Sequence, residues 1–505
     1  MKQLSGLDNV FLQLERGNQH MHVAGLCIYD PSSAPEGKVR FKDVLRFFEA
    51  RLHVAPIFRR RLVRVPMSAD RPYWVEDADI DVEFHVRHIA LPLPGDWRQL
   101  CIQVARIHSR PLDRSKPLWE AYVIEGLDNI AGLPAGSFAL YVKFHHCALD
   151  GEAGTEIIKA IHSLSADETA TAREAGHRTR DREPSAVELC SRALVNNLNR
   201  MPRFARLALE SAGRVANLGV ASLPGSGSRG GRVAPDFSTL VKRAPVTRFN
   251  GRVSAHRVVE AVGLSLPTMR AIRSAVDGAT INDIFMATVG GALNQYLGSK
   301  HELPAQSMTA MVPMTLRGAN KTEDAGNQIG LAVMRLHSEL ADPLERLRAI
   351  RVDANKTKAL SEGLGKDLAK QVFDVLPTIA AQVFTRRVMI PQMNVVVSNV
   401  RGPEVPLYMA GARLVSFAPI SIAIDGLGLN VTAFSYNGVM WLCAVACRDM
   451  LPDPAFFADC LRSSFQALAD AALQPEKAPP RPAHRKRARP RVAATRRAAA
   501  RRVSA

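Results

Sequence analysis

Two stretches of sequence, each alternating between helical and strand periodicity, constrain the fold of this chain more than any other feature. In the first ~165 residues, Phe41, Val44, Leu45, Phe48 and Leu52 recur at helical spacing, as do the apolar residues of Leu100–Ile107. Ala121–Ile124 and Phe138–Phe144 read as strands, the second carrying a single charge near its end. From about Lys242 the alternation resumes. Thr280–Leu297 predicts a helix, with Ile281, Ile284, Phe285, Thr288, Val289, Ala292 and Leu293 on one side. Leu331–Leu336, Asn394–Ser398, Leu429–Tyr436 and Gly438–Val445 read as strands, and Pro454–Leu473 as a closing helix. Such alternation predicts a mixed α/β protein of two similar halves, and 505 residues are enough for two to four domains at roughly 100–200 residues each. A site between the halves is the natural expectation.

The chain joining the halves differs in kind. Asp167–Pro184 is polar without an apolar face and predicts a flexible connection. Val187–Val220 has near-helical apolar spacing with several Arg, as a basic amphipathic helix would. Leu223–Arg232 reads as a Gly/Ser linker. No internal repeat of fixed period is present.

Charge separates the body from its end. The chain carries 66 Lys and Arg against 48 Asp and Glu, a formal +18. Residues 474–505 hold eleven of the basic residues and one acid, hence +10, leaving +8 for the rest. A basic balance points to an anionic partner. The tail has no aromatic residues for base stacking, which disfavours nucleic acid. Seven scattered cysteines (Cys27, Cys101, Cys147, Cys190, Cys443, Cys447 and Cys460) form no CxxC pair and fit a reducing compartment. The opening residues lack the apolar run of a signal peptide, and nothing reaches the ~18 consecutive apolar residues of a membrane span. A cytoplasmic protein, resting on a membrane surface if it meets one, is expected.

Chemistry concentrates in Phe144-His145-His146-Cys147-Ala148-Leu149-Asp150-Gly151. A strand delivers two histidines, and a turn then returns an acid. A neutral imidazole is a good base near pH 7, and a nearby carboxylate can fix its tautomer or orient its loop. The competing reading makes one or both histidines satisfied core residues. Adjacent histidines on a strand point to opposite faces and chelate one ion poorly, and no other cluster has zinc spacing, so no metal is expected. Neither a GxSxG elbow nor a P-loop nor GxGxxG is present.

His-His-x-x-x-Asp-Gly is the signature of acyl-CoA-dependent transferases with the chloramphenicol-acetyltransferase-like fold. More closely, the chain resembles bacterial wax ester synthase/diacylglycerol acyltransferases. The similarity begins at Leu4-Ser5-Gly6-Leu7-Asp8-Asn9-Val10-Phe11-Leu12 and His20-Met21-His22-Val23. It continues through Pro111–Glu120 with Pro117-Leu118-Trp119, then Asn282-Asp283, Val397–Pro403 and Gly428-Leu429-Asn430. Two departures stand out: Cys147 replaces a small residue, and Arg401 replaces a frequent Pro. Cys147 is read as a packing substitution rather than a nucleophile.

The resemblance implies two chloramphenicol-acetyltransferase-like domains, at 1–185 and 242–474, with an active-site tunnel between them. A helical and Gly/Ser-rich linker would span 186–241, and a disordered basic tail 475–505. It implies an enzyme esterifying long-chain fatty alcohols, diacylglycerol or both, with acyl-CoA as co-substrate and no cofactor. His146 would be the general base, with His145 and Asp150 in the same site, and Asp150 orienting the loop. Asn282 or the Ser398-Asn399 turn would donate to the oxyanion. Asn282 reads equally as a helix cap, and Ser398 and Asn399 also as turn residues. Pro117, Leu118, Trp119, Asp283 and Gly151 support the motifs, chiefly structurally. An anionic membrane or lipid-inclusion surface, met through the tail, is the expected partner. Two alternatives remain: an acyltransferase for another alcohol or an amine, and a non-catalytic lipid-binding homologue.

Overall fold

The computed structural model describes residues 1–77, 79–149, 153–167, 182–221, 243–315, 329–364 and 368–473. Asp150, Gly151, most of the expected polar connection, the Gly/Ser linker and the basic tail lie outside the described residues.

The first half runs β1 (Lys2–Gln3), α1 (Gly6–Leu14), β2 (His22–Asp30), α2 (Phe41–Arg51), β3 (Arg60–Val63), β4 (Tyr73–Glu76) and α3 (Val82–His85). It continues with β5 (Val86–Ala90), α4 (Trp97–His108), β6 (Trp119–Glu125), β7 (Phe138–His145) and α5 (Ala153–Ile161). The single long helix α6 (Ala186–Ala221) follows. The second half comprises β8 (Arg257–Ser265), α7 (Leu266–Ala275), α8 (Ile281–Ser299), β9 (Thr309–Thr315), β10 (Ile329–Arg335), α9 (Pro343–Leu364), α10 (Leu368–Val375) and α11 (Thr378–Phe384). It ends with β11 (Val395–Arg401), β12 (Tyr408–Met409), β13 (Ala412–Ile420), β14 (Leu429–Tyr436), β15 (Val439–Cys447) and α12 (Pro454–Leu473).

Two six-stranded mixed sheets result. The first has the order β12-β13-β2-β7-β6-β5 and the second β10-β9-β11-β14-β15-β8, beside a small sheet β1-β4-β3. Strand β7 is central in the first sheet and buried throughout, so both its faces are apolar apart from Lys143 and the terminal His145. The expected boundary at 241/242 does not separate the sheets. Strands β12 and β13, from the second half of the chain, pair into the first sheet along β2. Position along the chain cannot reveal this, because strand pairing follows tertiary contact and not sequence proximity. The halves also share a core: Leu26, Ile28, Leu100, Val104 and Tyr141 pack with Val259, Ala261, Cys443 and Val445. Across that seam Trp97 donates its indole N–H to Glu260 at 2.5 Å.

Candidate active site

Strand β7 ends at His145, and the chain turns at once into a 3-10 segment, His146–Ala148. His145 is fully buried. Its backbone N–H donates to the Leu118 carbonyl at 3.0 Å, and His146 donates its own to Met21 at 2.7 Å. The Cys147 N–H donates to His145 Nδ1 at 3.1 Å. The His145 proton therefore sits on Nε2, which donates to Glu15 Oε2 at 2.5 Å. Through these bonds His145 fixes the turn that carries His146.

Glu15, just beyond α1, is the hub. Arg114 lies 3.1 Å from its Oε1 and His20 Nδ1 3.8 Å. Burial pushes this carboxyl up, but the hydrogen bond from His145, the nearness of His20 and the charge of Arg114 outweigh it and hold it far below the usual carboxylate range. Burial pushes His145 down despite its carboxylate partner. His22 pairs across the strands with His145. It is fully buried, neither ring nitrogen has a hydrogen-bond partner among the described residues, and burial with nearby Lys143 pushes it well down.

His146 differs from its neighbour. Its ring is half-buried and stacks on Phe11 of α1 with centroids 3.8 Å apart. Nδ1 has no hydrogen-bond partner among the described residues. Burial pushes the imidazole down to about 4. It is thus neutral at pH 7, clamped in orientation and able to accept a proton.

The other expected residues divide. Leu118 and Trp119 are fully buried. Leu118 holds His145 through its carbonyl, and Trp119 donates to the Phe58 carbonyl at 3.2 Å and stacks on His85. With Pro117 they are structural. Cys147 packs with Leu4, Leu12, Leu62 and Leu118, and burial pushes its thiol well up, against nucleophilic use. Asn282 does not cap α8. Thr280 is the cap, in a reciprocal capping box with buried Asp283, and Asn282 donates only to Met286 Sδ at 3.5 Å. Ser398 and Asn399 do not form a turn either. The strand runs on to Arg401, and they pair with Thr432 and Ala433 of β14. No hydrogen bond among the described residues joins any of these three to His146.

The chain does gather a cluster that sequence spacing did not reveal. Ligand-type atoms of Glu15, His20 and His22 lie within 4.8 Å of one another. Both Glu15 oxygens are engaged, by His145 and Arg114, and Lys143 adds positive potential near His22. Glu15, Arg114, Phe11 and His22 were missed as site residues. They fall in or beside the strings around 4–12, 20–23 and 111–120, but only the fold brings those strings to His145.

Comparison with known proteins identifies the family. Residues 4–285 match the wax ester synthase/diacylglycerol acyltransferase catalytic domain, and residues 325–469 the WS/DGAT C-terminal domain. A putative diacylglycerol O-acyltransferase of Mycobacterium bovis is 33% identical over 479 residues, covering 94% of this chain and 100% of that protein. The O-acyltransferase WSD of Acinetobacter baylyi is 31% identical over 465 residues, covering 90% and 93%. Among solved structures, the wax ester synthase/diacylglycerol acyltransferase of Marinobacter aquaeolei VT8 superposes with a TM-score of 0.65 at 27% identity, covering 94% of this chain and 100% of that one. The starter condensation domain of rhizomide synthetase, at 13% identity and a TM-score of 0.51 over 93% and 95% of the two chains, shows the fold alone. Two family models match in chain order and relatives match over nine-tenths of the sequence: the chain belongs to the wax ester synthase/diacylglycerol acyltransferase family.

Proposed function

We propose that the protein transfers an acyl group from acyl-CoA to the hydroxyl of a long-chain alcohol or a diacylglycerol, with His146 as general base. The observation that carries this reading is the state of His146: neutral, stacked on Phe11, with Nδ1 free of any hydrogen-bond partner among the described residues. An unprotonated ring nitrogen takes the hydroxyl proton while the oxygen attacks the thioester carbonyl. The tetrahedral oxyanion is met by a donor from the second half, with Asn282, Ser398 and Asn399 as candidates. Collapse breaks the C–S bond, and the departing CoA thiolate takes the proton from His146. No acyl-enzyme forms. Asp150 orients the loop from outside the described residues. The family relationship supports the substrate class, since relatives carry the names diacylglycerol O-acyltransferase and O-acyltransferase WSD.

The enzyme works at a lipid surface on the cytoplasmic side, where its oily substrates collect. Among the described residues no helix is long and apolar enough to cross a membrane. The +10 of residues 474–505 supplies an attraction of roughly 1 kcal/mol per charge near anionic lipid.

General-base help is worth ~10²–10⁴-fold, so purified His146→Ala should lose turnover by about that factor while keeping its fold. CoA release with hexadecanol, diacylglycerol and an amine in parallel, followed by thin-layer chromatography, checks both chemistry and acceptor. Normal turnover by His146→Ala would refute the mechanism. Product from the amine alone would reassign the acceptor.

A further inference from the structure

Helix α6 is amphipathic in an unusual sense, because apolar residues occupy both its inner and its outer face. The inner stripe is anchored. Leu189 and Ala193 pack with Val65 and Tyr73. Asn196 donates to Asp70 at 2.8 Å, and Arg200 pairs with the same carboxylate at 2.5 Å. At ~100° per residue, these positions share one face. On the opposite face Val187, Leu194, Leu198, Met201 and Leu209 are 79%, 64%, 66%, 69% and 76% exposed. A helix docked by one side ordinarily turns polar residues outward. Met67, 93% exposed on the adjoining Pro66–Ser68 turn, adds to the apolar surface.

Charge identifies what this stripe meets. Residues 186–221 contain five Arg, no Lys and two Glu, a net +3; Arg192 pairs with Glu188 at 2.9 Å and Arg206 with Glu210 at 2.8 Å, while Arg203 is exposed with no ion-pair partner among the described residues. A second copy packed here by two-fold symmetry would bring this excess of arginines against itself. An anionic bilayer instead offers acyl chains to the stripe and a negative surface to the helix's net positive charge. We infer that α6 lies in the headgroup layer of an anionic membrane, with Leu194, Leu198, Met201 and Leu209 immersed. The inference deepens the lipid-surface part of the proposed function and rests on that reading for lipid as the partner, but it uses none of the residues assigned to the chemistry. It also suits the site's position. The small sheet beneath α6 includes β1, which leads into α1 and so to Phe11 against His146.

The test is co-sedimentation of the full chain with vesicles of equimolar phosphatidylglycerol and phosphatidylcholine, beside phosphatidylcholine alone, at physiological salt. Wild type should bind the mixed vesicles, and the double variant Leu194→Glu/Leu198→Glu should bind about tenfold more weakly or worse. Its CoA release from a short-chain acyl-CoA with a water-soluble alcohol should stay at the wild-type level. Equal binding by the variant overturns the inference, leaving the tail as sufficient anchor. A wild-type dimer that the variant converts to monomer, with vesicle binding unchanged, assigns the stripe to a second copy and also overturns it. Failure of wild type to release CoA would sink the chemistry while leaving the vesicle result standing. Should the double variant misfold, Leu198→Cys in a Cys190→Ser background takes an environment-sensitive dye selectively, since the other six cysteines are buried. A blue shift on adding mixed vesicles supports immersion, and no shift refutes it.

Discussion

His146 and His145 are neighbours in sequence, yet the fold gives them different surroundings. His145 has both ring nitrogens engaged, by Glu15 and the Cys147 N–H, and holds the turn. His146 keeps Nδ1 unengaged among the described residues and is pushed down to about 4. Because the proposed base works only unprotonated, kcat/KM should stay level from pH 8 to about pH 5 and fall toward pH 4. An acid limb near the ordinary histidine value of about 6.5 would show that His146 is not the buried base. Glu15 acts through His145, as a positioning residue. Glu15→Gln removes a buried charge opposite Arg114 and leaves one acceptor oxygen where His145 and Arg114 each had their own, which should cost on the order of 3 kcal/mol in urea unfolding. It should lower kcat more than it raises KM, because it loosens the turn rather than a substrate contact. A variant as stable and active as wild type would remove Glu15 from the site. The two histidines were legible because their motif is local. Glu15 was not, since 130 residues separate it from His145.

Among the elements, helix periods placed α2, α4 and α12 nearly where they form, because burying one stripe leaves a local signature; α8, expected to bury one side, is buried on every side from Asp283 to Leu293, and it and β7 were legible as apolar runs. The details at their ends were harder to read. Asn282 has the composition of a cap, but Thr280 two residues earlier closes the capping box with Asp283. Strand β11 runs past Ser398 and Asn399 because β14 continues to pair with it as far as Ser435. Glycines show the same limit. In α8, a Cβ on Gly290 would sit 2.3 Å from the Leu336 carbonyl oxygen. Helix propensity favours Gly290→Ala by about 1 kcal/mol, whereas forcing that backbone contact apart costs ~1–3 kcal/mol. Net destabilisation is therefore expected, read as a lower urea midpoint, and a stabilised variant would mean that α8 is not packed this closely.

At the scale of the whole molecule, buried imidazoles govern acid stability. Burial holds His22 well down, His108 at about 3, and His146 and His162 at about 4. Their folded values lie below the unfolded value of about 6.5, so between these limits the unfolded chain binds more protons. The stability they contribute is complete above pH 6.5 and is lost as pH falls toward 4, by about 1.4 kcal/mol per pH unit for each histidine. Urea midpoints at pH 7.5 and 5.5 check this, and an unchanged midpoint would place these rings in water.

The sequence by itself determined the mixed α/β class, most of the elements, the histidine turn and the family, all of which rest on local period or on strings short enough to read directly. Only the tertiary structure decided that β13 crosses into the first sheet, that Glu15 and Arg114 gather at His145, and that Phe11 covers His146. It also decided that the long basic helix turns apolar residues outward. These depend on contacts between segments far apart in the chain. No periodicity encodes such contacts, because they are selected by the joint burial of surfaces that meet only once the chain is folded.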